Sequence, residues 1–159
     1  MQIRPDWDEV ETVRRQTMEF LAEQRLSDES VQSVGMVASE LCENAVKYGN
    51  FSEAQKIDVV VRCNEQLSRV SVRVTAPVRI GNNPHFRRFK ETLDWLQNHE
   101  NPMEAYLQKM EEVAHTDPDD PSSGLGLPRI AYEGQSILSY DLDDQDRLAV
   151  SAVHYPDHI

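Results

Sequence analysis

Cysteine is nearly absent from this chain: Cys42 and Cys63 are the only two in 159 residues. They form no CxxC and lack a neighbouring histidine pair, so two buried reduced thiols are expected rather than a disulfide or a metal site. His85, His99, His115, His154 and His158 show no metal-ligand spacing and read as surface or loop residues. A triad-type Cys or Ser nucleophile has no support, because neither thiol neighbours a recognisable base or oxyanion motif. No apolar run approaches the ~18 residues that cross a bilayer, and the N-terminus lacks a signal-peptide pattern. A cytoplasmic location without membrane association is therefore expected. Basic residues are scarce, 16 against 28 acidic, for a formal charge of −12. That field repels phosphate backbones, which argues against nucleic-acid binding, and it steers basic partner surfaces toward the chain. No internal repeat is present, and the length predicts a single domain over residues 1–159, large enough to bury a core without staples.

What the chain does contain is ordered periodicity. A first helix is expected over 8–25, capped by Asp8, with Val10, Val13, Met18, Phe20 and Leu21 as its apolar side. A second is expected over 31–48, with Ser30 as N-cap and Gly49-Asn50 as its end. Ile57–Cys63 and Arg69–Val74 read as a hairpin, stopped by Pro77 and by Gly81-Asn82-Asn83-Pro84. Two helical patterns follow near 85–98 and 102–115. Phe86, Phe89, Leu93 and Leu96 form the face of the first; Met103, Tyr106, Leu107 and Met110 form that of the second. Thr116–Ser123 is a Pro/Asp/Ser loop, and Ser136–Leu142 and Arg147–Tyr155 read as strands around an Asp-rich turn. This order predicts an α+β two-layer sandwich on a mixed, mostly antiparallel sheet.

The second helix carries the first chemical signal. Val34, Val37, Ala38, Leu41, Ala45 and Tyr48 recur at helical spacing and make one apolar stripe, while Glu40, Asn44 and Lys47 fall on another face. Asn is a poor mid-helix residue, since its amide competes with the backbone for hydrogen bonds. A carboxylate one turn from a carboxamide suits a hydrated Mg²⁺ and an activated hydroxyl; a solvated polar face is the other reading. The second signal is Gly124-x-Gly126, about eighty residues after Asn44, between the Pro/Asp/Ser loop and a short helix. Glycines there let backbone approach a polyphosphate, though a plain turn has the same composition.

Taken together, these motifs resemble the GHKL superfamily of ATP-binding domains, which includes sensor histidine kinases, gyrase-type ATPases and anti-sigma-factor serine kinases. Ser39-Glu40-x-x-x-Asn44-Ala45-x-x-Tyr48-Gly49 looks like the N box, most similar to that of the anti-sigma kinases, and Ser123-Gly124-Leu125-Gly126-Leu127-x-x-Ile130 looks like the second glycine box. Residues 81–122 occupy the place of the ATP lid, here an extended helical insert. The resemblance implies a histidine-kinase-like fold with helices on one face of the sheet, and ATP with Mg²⁺ as cofactors. Glu40 would be the general base and Asn44 the Mg²⁺ ligand, with Lys47 near a phosphate and Gly124, Leu125 and Gly126 cradling the phosphates.

One box departs from the pattern. Where the family carries Asp-x-Gly-x-Gly, this strand runs Arg73-Val74-Thr75-Ala76-Pro77-Val78, so Thr75 or Ala76 stands at the adenine-reading position. Exchanging carboxylate for hydroxyl in such a contact costs about 1.5–3 kcal/mol, roughly ten- to a hundredfold in affinity. The implied function is a bacterial partner-switching regulator similar to anti-sigma-factor serine/threonine kinases. Its partners would be a STAS-type antagonist protein and a sigma factor or other effector, and homodimers are common among similar proteins. The competing reading is a non-catalytic interaction module of the same fold that has lost ATP. A detached ATP-binding domain serving a histidine kinase in trans is less favoured, since Glu40 matches the anti-sigma form and no phosphoacceptor helix is present.

Overall fold

The computed structural model of the protein describes residues 1–52, 55–115 and 125–156. In chain order the elements are β1 (Gln2–Ile3), α1 (Trp7–Ala22), α2 (Asp28–Tyr48), β2 (Ile57–Asn64), β3 (Arg69–Pro77), α3 (Pro84–Gln97), α4 (Pro102–Ala114), α5 (Gly126–Tyr132), β4 (Ser136–Leu142) and β5 (Arg147–His154). The five strands form one sheet in the order β1-β2-β3-β5-β4. Every pairing is antiparallel. The short β1 extends the sheet at the β2 edge and had no clear periodic signal.

Strand alternation divides the sheet into two faces. Val70, Val72, Val74 and Ala76 of β3 and Leu148, Val150 and Ala152 of β5 are buried beneath the helices. The opposite face carries exposed Val60, Arg73 and Ile137. It also carries the ion pair Asp58–Arg147, at 2.6 Å, which reaches across β3. The helices thus form a single layer over one side of the sheet, as the α+β reading requires.

Two helix starts lie earlier than the cap residues suggested. Asp6, in an extended conformation, accepts the Asp8 amide at 3.0 Å, so Asp8 lies inside the first turn of α1. Ser27 caps α2 through the Ser30 amide at 3.1 Å, and Ser30 becomes a buried helical residue. His154, expected on the surface, is buried. Its Nδ1 donates to the Gly134 carbonyl (2.9 Å) and its Nε2 meets Ser30 Oγ at 3.2 Å, which ties β5 to the start of α2. Both thiols are free; Cys42 is fully buried, but Cys63, near the end of an edge-side strand, is only half-buried.

The helical insert splits into two unlike parts. Asn83 caps α3, accepting the Phe86 amide (3.0 Å) while its own amide donates to the Tyr48 carbonyl (2.9 Å), so the insert is tied to the end of α2. Phe86, Phe89, Leu93 and Leu96 are buried, and Phe89 stands edge-on between Tyr48 (5.3 Å) and Tyr140 (6.2 Å). By contrast, only Ala105 of α4 is buried, and Met103, Leu107 and Met110 remain exposed. Leu93→Ala is therefore expected to lose about 2–5 kcal/mol in urea unfolding, as for any fully buried leucine. Leu107→Ala should stay within about 0.5 kcal/mol of the parent protein. Equal effects from the two changes would show that α3 is not part of the core.

Candidate functional site

The buried stripe on α2 holds as the sequence suggested: Val34, Val37, Ala38, Leu41, Ala45 and Tyr48 all lie against the sheet or its neighbours. With that side pinned, the helical period turns Glu40, Asn44 and Lys47 toward a cavity of about 250 Å³. Glu43 joins them from α2; His85, Arg88, Phe89 and Thr92 line it from α3; Leu125, Gly126, Leu127 and Arg129 close it around α5. The acid-amide pair and the glycine segment, far apart in sequence, thus share one wall-to-wall site.

Glu40 is held closely. Its Oε1 pairs with Arg129 Nη1 at 3.2 Å, and its side chain is only 16% exposed. Its Oε2 faces Gly126, where a Cβ would come within 2.7 Å of it. Burial pushes the Glu40 carboxyl above its ordinary value, Glu43 adds to the rise, and Arg129 and Lys47 oppose it. The Asn44 amide nitrogen is buried with no hydrogen-bond partner among the described residues. An orphaned NH2 is costly in a packed protein, and as a donor it suits an acceptor such as a phosphate oxygen or water; a cation would instead use the Asn44 Oδ1. Next to this wall the Cys42 thiol is inert: burial, helped by Glu43, pushes it up to about 12.

Thr75 is not brought to the cavity. It pairs with Asp58 on β2 and Ala149 on β5, and strand alternation puts it on the face opposite buried Val74 and Ala76. Gly124 lies outside the described residues, as does the loop at 116–123; Leu125 and Gly126 are described and line the cavity. The sequence did not single out Arg129, Glu43, Arg88 or Thr92 as site residues. Arg129 had a usable signal, since it stands three residues after Gly126 on the same short helix.

Comparison with known proteins bears on this arrangement. The family model for the histidine kinase-like ATPase domain matches residues 3–132, most of the chain. The chain belongs to that family. Comparison with curated proteins finds no match. Among solved structures, this histidine kinase-like ATPase domain is similar to a chain of the SiaB-SiaC complex from Pseudomonas aeruginosa, with a TM-score of 0.73 and 17% identity over 96% of this chain and 86% of that one. At that identity the likeness is one of fold.

The family implies Mg-ATP, and the residues present fit its metal-and-phosphate part. The orphaned Asn44 Nδ2 and Lys47 at the cavity wall can donate to phosphate oxygens, the Gly126 backbone leaves room for them beside Glu40, and the Asn44 Oδ1 is the oxygen a metal would take. Among the described residues no cluster of three or more His, Cys, Asp or Glu forms a protein-only metal cage, so an ion here would draw most of its ligands from phosphate and water. The purine end is less provided for, because no residue of β3 lines the cavity.

The raised Glu40 carboxyl has a measurable consequence. The native state holds its proton more tightly than the unfolded chain does, so the contribution of Glu40 to stability declines as pH rises from the ordinary carboxylate range through its raised native value. Glu40→Gln cannot titrate. In urea unfolding from pH 4 to 7, the variant is expected to gain stability relative to the parent as pH increases. A relative loss over that window would mean that the Arg129 pairing outweighs burial.

Proposed function

We propose that this protein is a bacterial signalling regulator that resembles the anti-sigma-factor serine/threonine kinases. In this reading it binds Mg-ATP in the α2–α5 cavity and controls a partner-switching pathway by phosphorylating a Ser or Thr of a STAS-type antagonist protein. The observation that carries the reading is the meeting of Glu40, Asn44 and Gly126 at one cavity. Glu40 is the base: its Oε2 takes the proton of the incoming hydroxyl, and its raised carboxyl is better matched to neutral pH than an exposed glutamate. Asn44 would hold the ion through Oδ1, and Lys47 with the Gly126 backbone amide would donate to phosphate oxygens. When bound, Mg-ATP supplies the transferable phosphoryl group and the metal charge that neutralises it. The structural neighbour comes from a two-protein complex, which is in keeping with a regulator that acts through a protein partner. The strongly acidic chain favours a partner with a basic contact surface, and a sigma factor or similar effector fits that role. No helix among the described residues is long and apolar enough to cross a membrane, which is compatible with a cytoplasmic site of action.

A second reading, a non-catalytic interaction module of the same fold, is favoured by two specific observations. The cavity of about 250 Å³ is smaller than the ~300–1,000 Å³ of usual small-molecule sites, and Thr75 lies on the far face of the sheet. A melting experiment separates the two. Mg-ATP at about a hundredfold above Kd should raise Tm by roughly 5–10 °C in a chain of this size. Asn44→Ala should remove the Mg²⁺-dependent part of that shift. No shift at millimolar Mg-ATP would eliminate the kinase reading and leave the interaction module.

A further inference from the structure

Arg129 stands at an unspecified position within the second glycine segment, yet it lines the cavity and contacts Glu40. Its planar guanidinium engages two carboxylates at once: Nη1 pairs with Glu40 Oε1 at 3.2 Å and Nε with Glu133 Oε2 at 2.8 Å. The other oxygen of Glu133 accepts a hydrogen bond from the Tyr106 hydroxyl at 2.8 Å. Tyr106 comes from α4 in the helical insert, and its ring lies 5.3 Å from that of Tyr132 at the end of α5. The bond from Arg129, with that from Tyr106, holds the Glu133 carboxyl below its ordinary value. A continuous chain of polar contacts therefore runs from the exposed insert to the cavity wall.

We propose that Arg129 is a positioning residue for Glu40, and that Glu133 and Tyr106 hold Arg129 in register, so that the insert sets the placement of the carboxylate. The geometry divides the two oxygens of Glu40. Oε1 is anchored by Arg129, and Oε2 is left against the Gly126 backbone, the rim where phosphates would lie. Arginine suits this task because two edges of a rigid plane engage two partners, whereas a lysine offers a single point charge. The outer contacts are solvent-screened, with Arg129 44% and Glu133 43% exposed, so each is individually weak. The inner contact, to a Glu40 only 16% exposed, is the firmer one. A partner that shifts α4 would thus disturb the outer link at small cost and change how Glu40 is held.

This inference rests on reading Glu40 as the base, but its test does not depend on nucleotide. In urea unfolding of the full chain without ATP, Tyr106→Phe and Glu40→Gln are combined in a double-mutant cycle. No hydrogen bond joins the two residues directly, so independent sites would be additive within about twofold in the unfolding constant. Coupling beyond that, abolished in an Arg129→Gln background, is the expected result. Additivity within about twofold, or coupling that survives Arg129→Gln, overturns the positioning chain. With Mg-ATP and a phosphoacceptor protein, Arg129→Gln should lower kcat about tenfold to a hundredfold, with KM within about twofold, as misplacement of a catalytic group does. An unchanged or increased kcat overturns the proposal. If the parent protein itself shows no turnover, the kinase reading falls, and the unfolding cycle alone decides whether Arg129 positions Glu40.

Discussion

The burial of one side of α2 is the constraint from which the rest of the site follows. Val34, Val37, Ala38, Leu41, Ala45 and Tyr48 are all taken out of water by the sheet and its flanking helices. A fully buried Val or Leu stabilises a fold by about 1.5–3 kcal/mol, so rolling α2 about its axis would forfeit several such terms together. Because the helix cannot roll, residues offset from the stripe have no choice of direction. Glu40, Asn44 and Lys47 must face the space between α2, α3 and α5. The polar groups are held there by the hydrophobic packing behind them, and this explains how an unsatisfied Asn44 amide is tolerated at a half-buried position.

The insert obeys the same constraint on one side only. Phe86, Phe89, Leu93 and Leu96 make α3 part of the core, and the Phe89 ring is locked between Tyr48 and Tyr140. α3 is thus a packed wall of the cavity. Swinging it away would expose four large side chains, so the cavity is bounded by a stiff element and its volume is correspondingly small. α4 makes the opposite choice and leaves Met103, Leu107 and Met110 in solvent, while its Tyr106 hydroxyl donates to Glu133 beside the site. One insert therefore combines a fixed part that shapes the cavity with an exposed part that contacts its electrostatic network.

Charge in the cavity departs from that of the whole chain. The protein carries −12 overall, yet Lys47, Arg88 and Arg129 gather around Glu40 and Glu43. Partial burial strengthens each of these interactions relative to bulk water. The site is thus a locally balanced patch inside an acidic surface, where an anionic ligand meets cations at close range.

Periodicity was enough to place nearly every helix and strand, because the apolar spacing in α2, α3, β3 and β5 is strong and its period unambiguous. The shared face of Glu40, Asn44 and Lys47 was legible for the same reason, because a helical period converts sequence spacing directly into a shared face, while Gly126 was singled out by its glycine spacing and not by period. The short β1 and the burial of His154 were not legible, since each depends on a partner remote in the chain, such as Asp58 for Gln2 and Ser30 for His154, whereas the caps were missed because several adjacent Asp and Ser residues can cap equally well. The same holds for Arg129, Glu133 and Tyr106, whose pairing spans three elements. Sequence by itself determined which residues share a helix face and which segments turn or pair, because local geometry repeats with a fixed period. Only the tertiary structure decided that Thr75 faces away from the cavity, that α3 belongs to the core, and that Arg129 grips Glu40. Those outcomes depend on how separate elements stack, and stacking is set by the packing of the whole molecule.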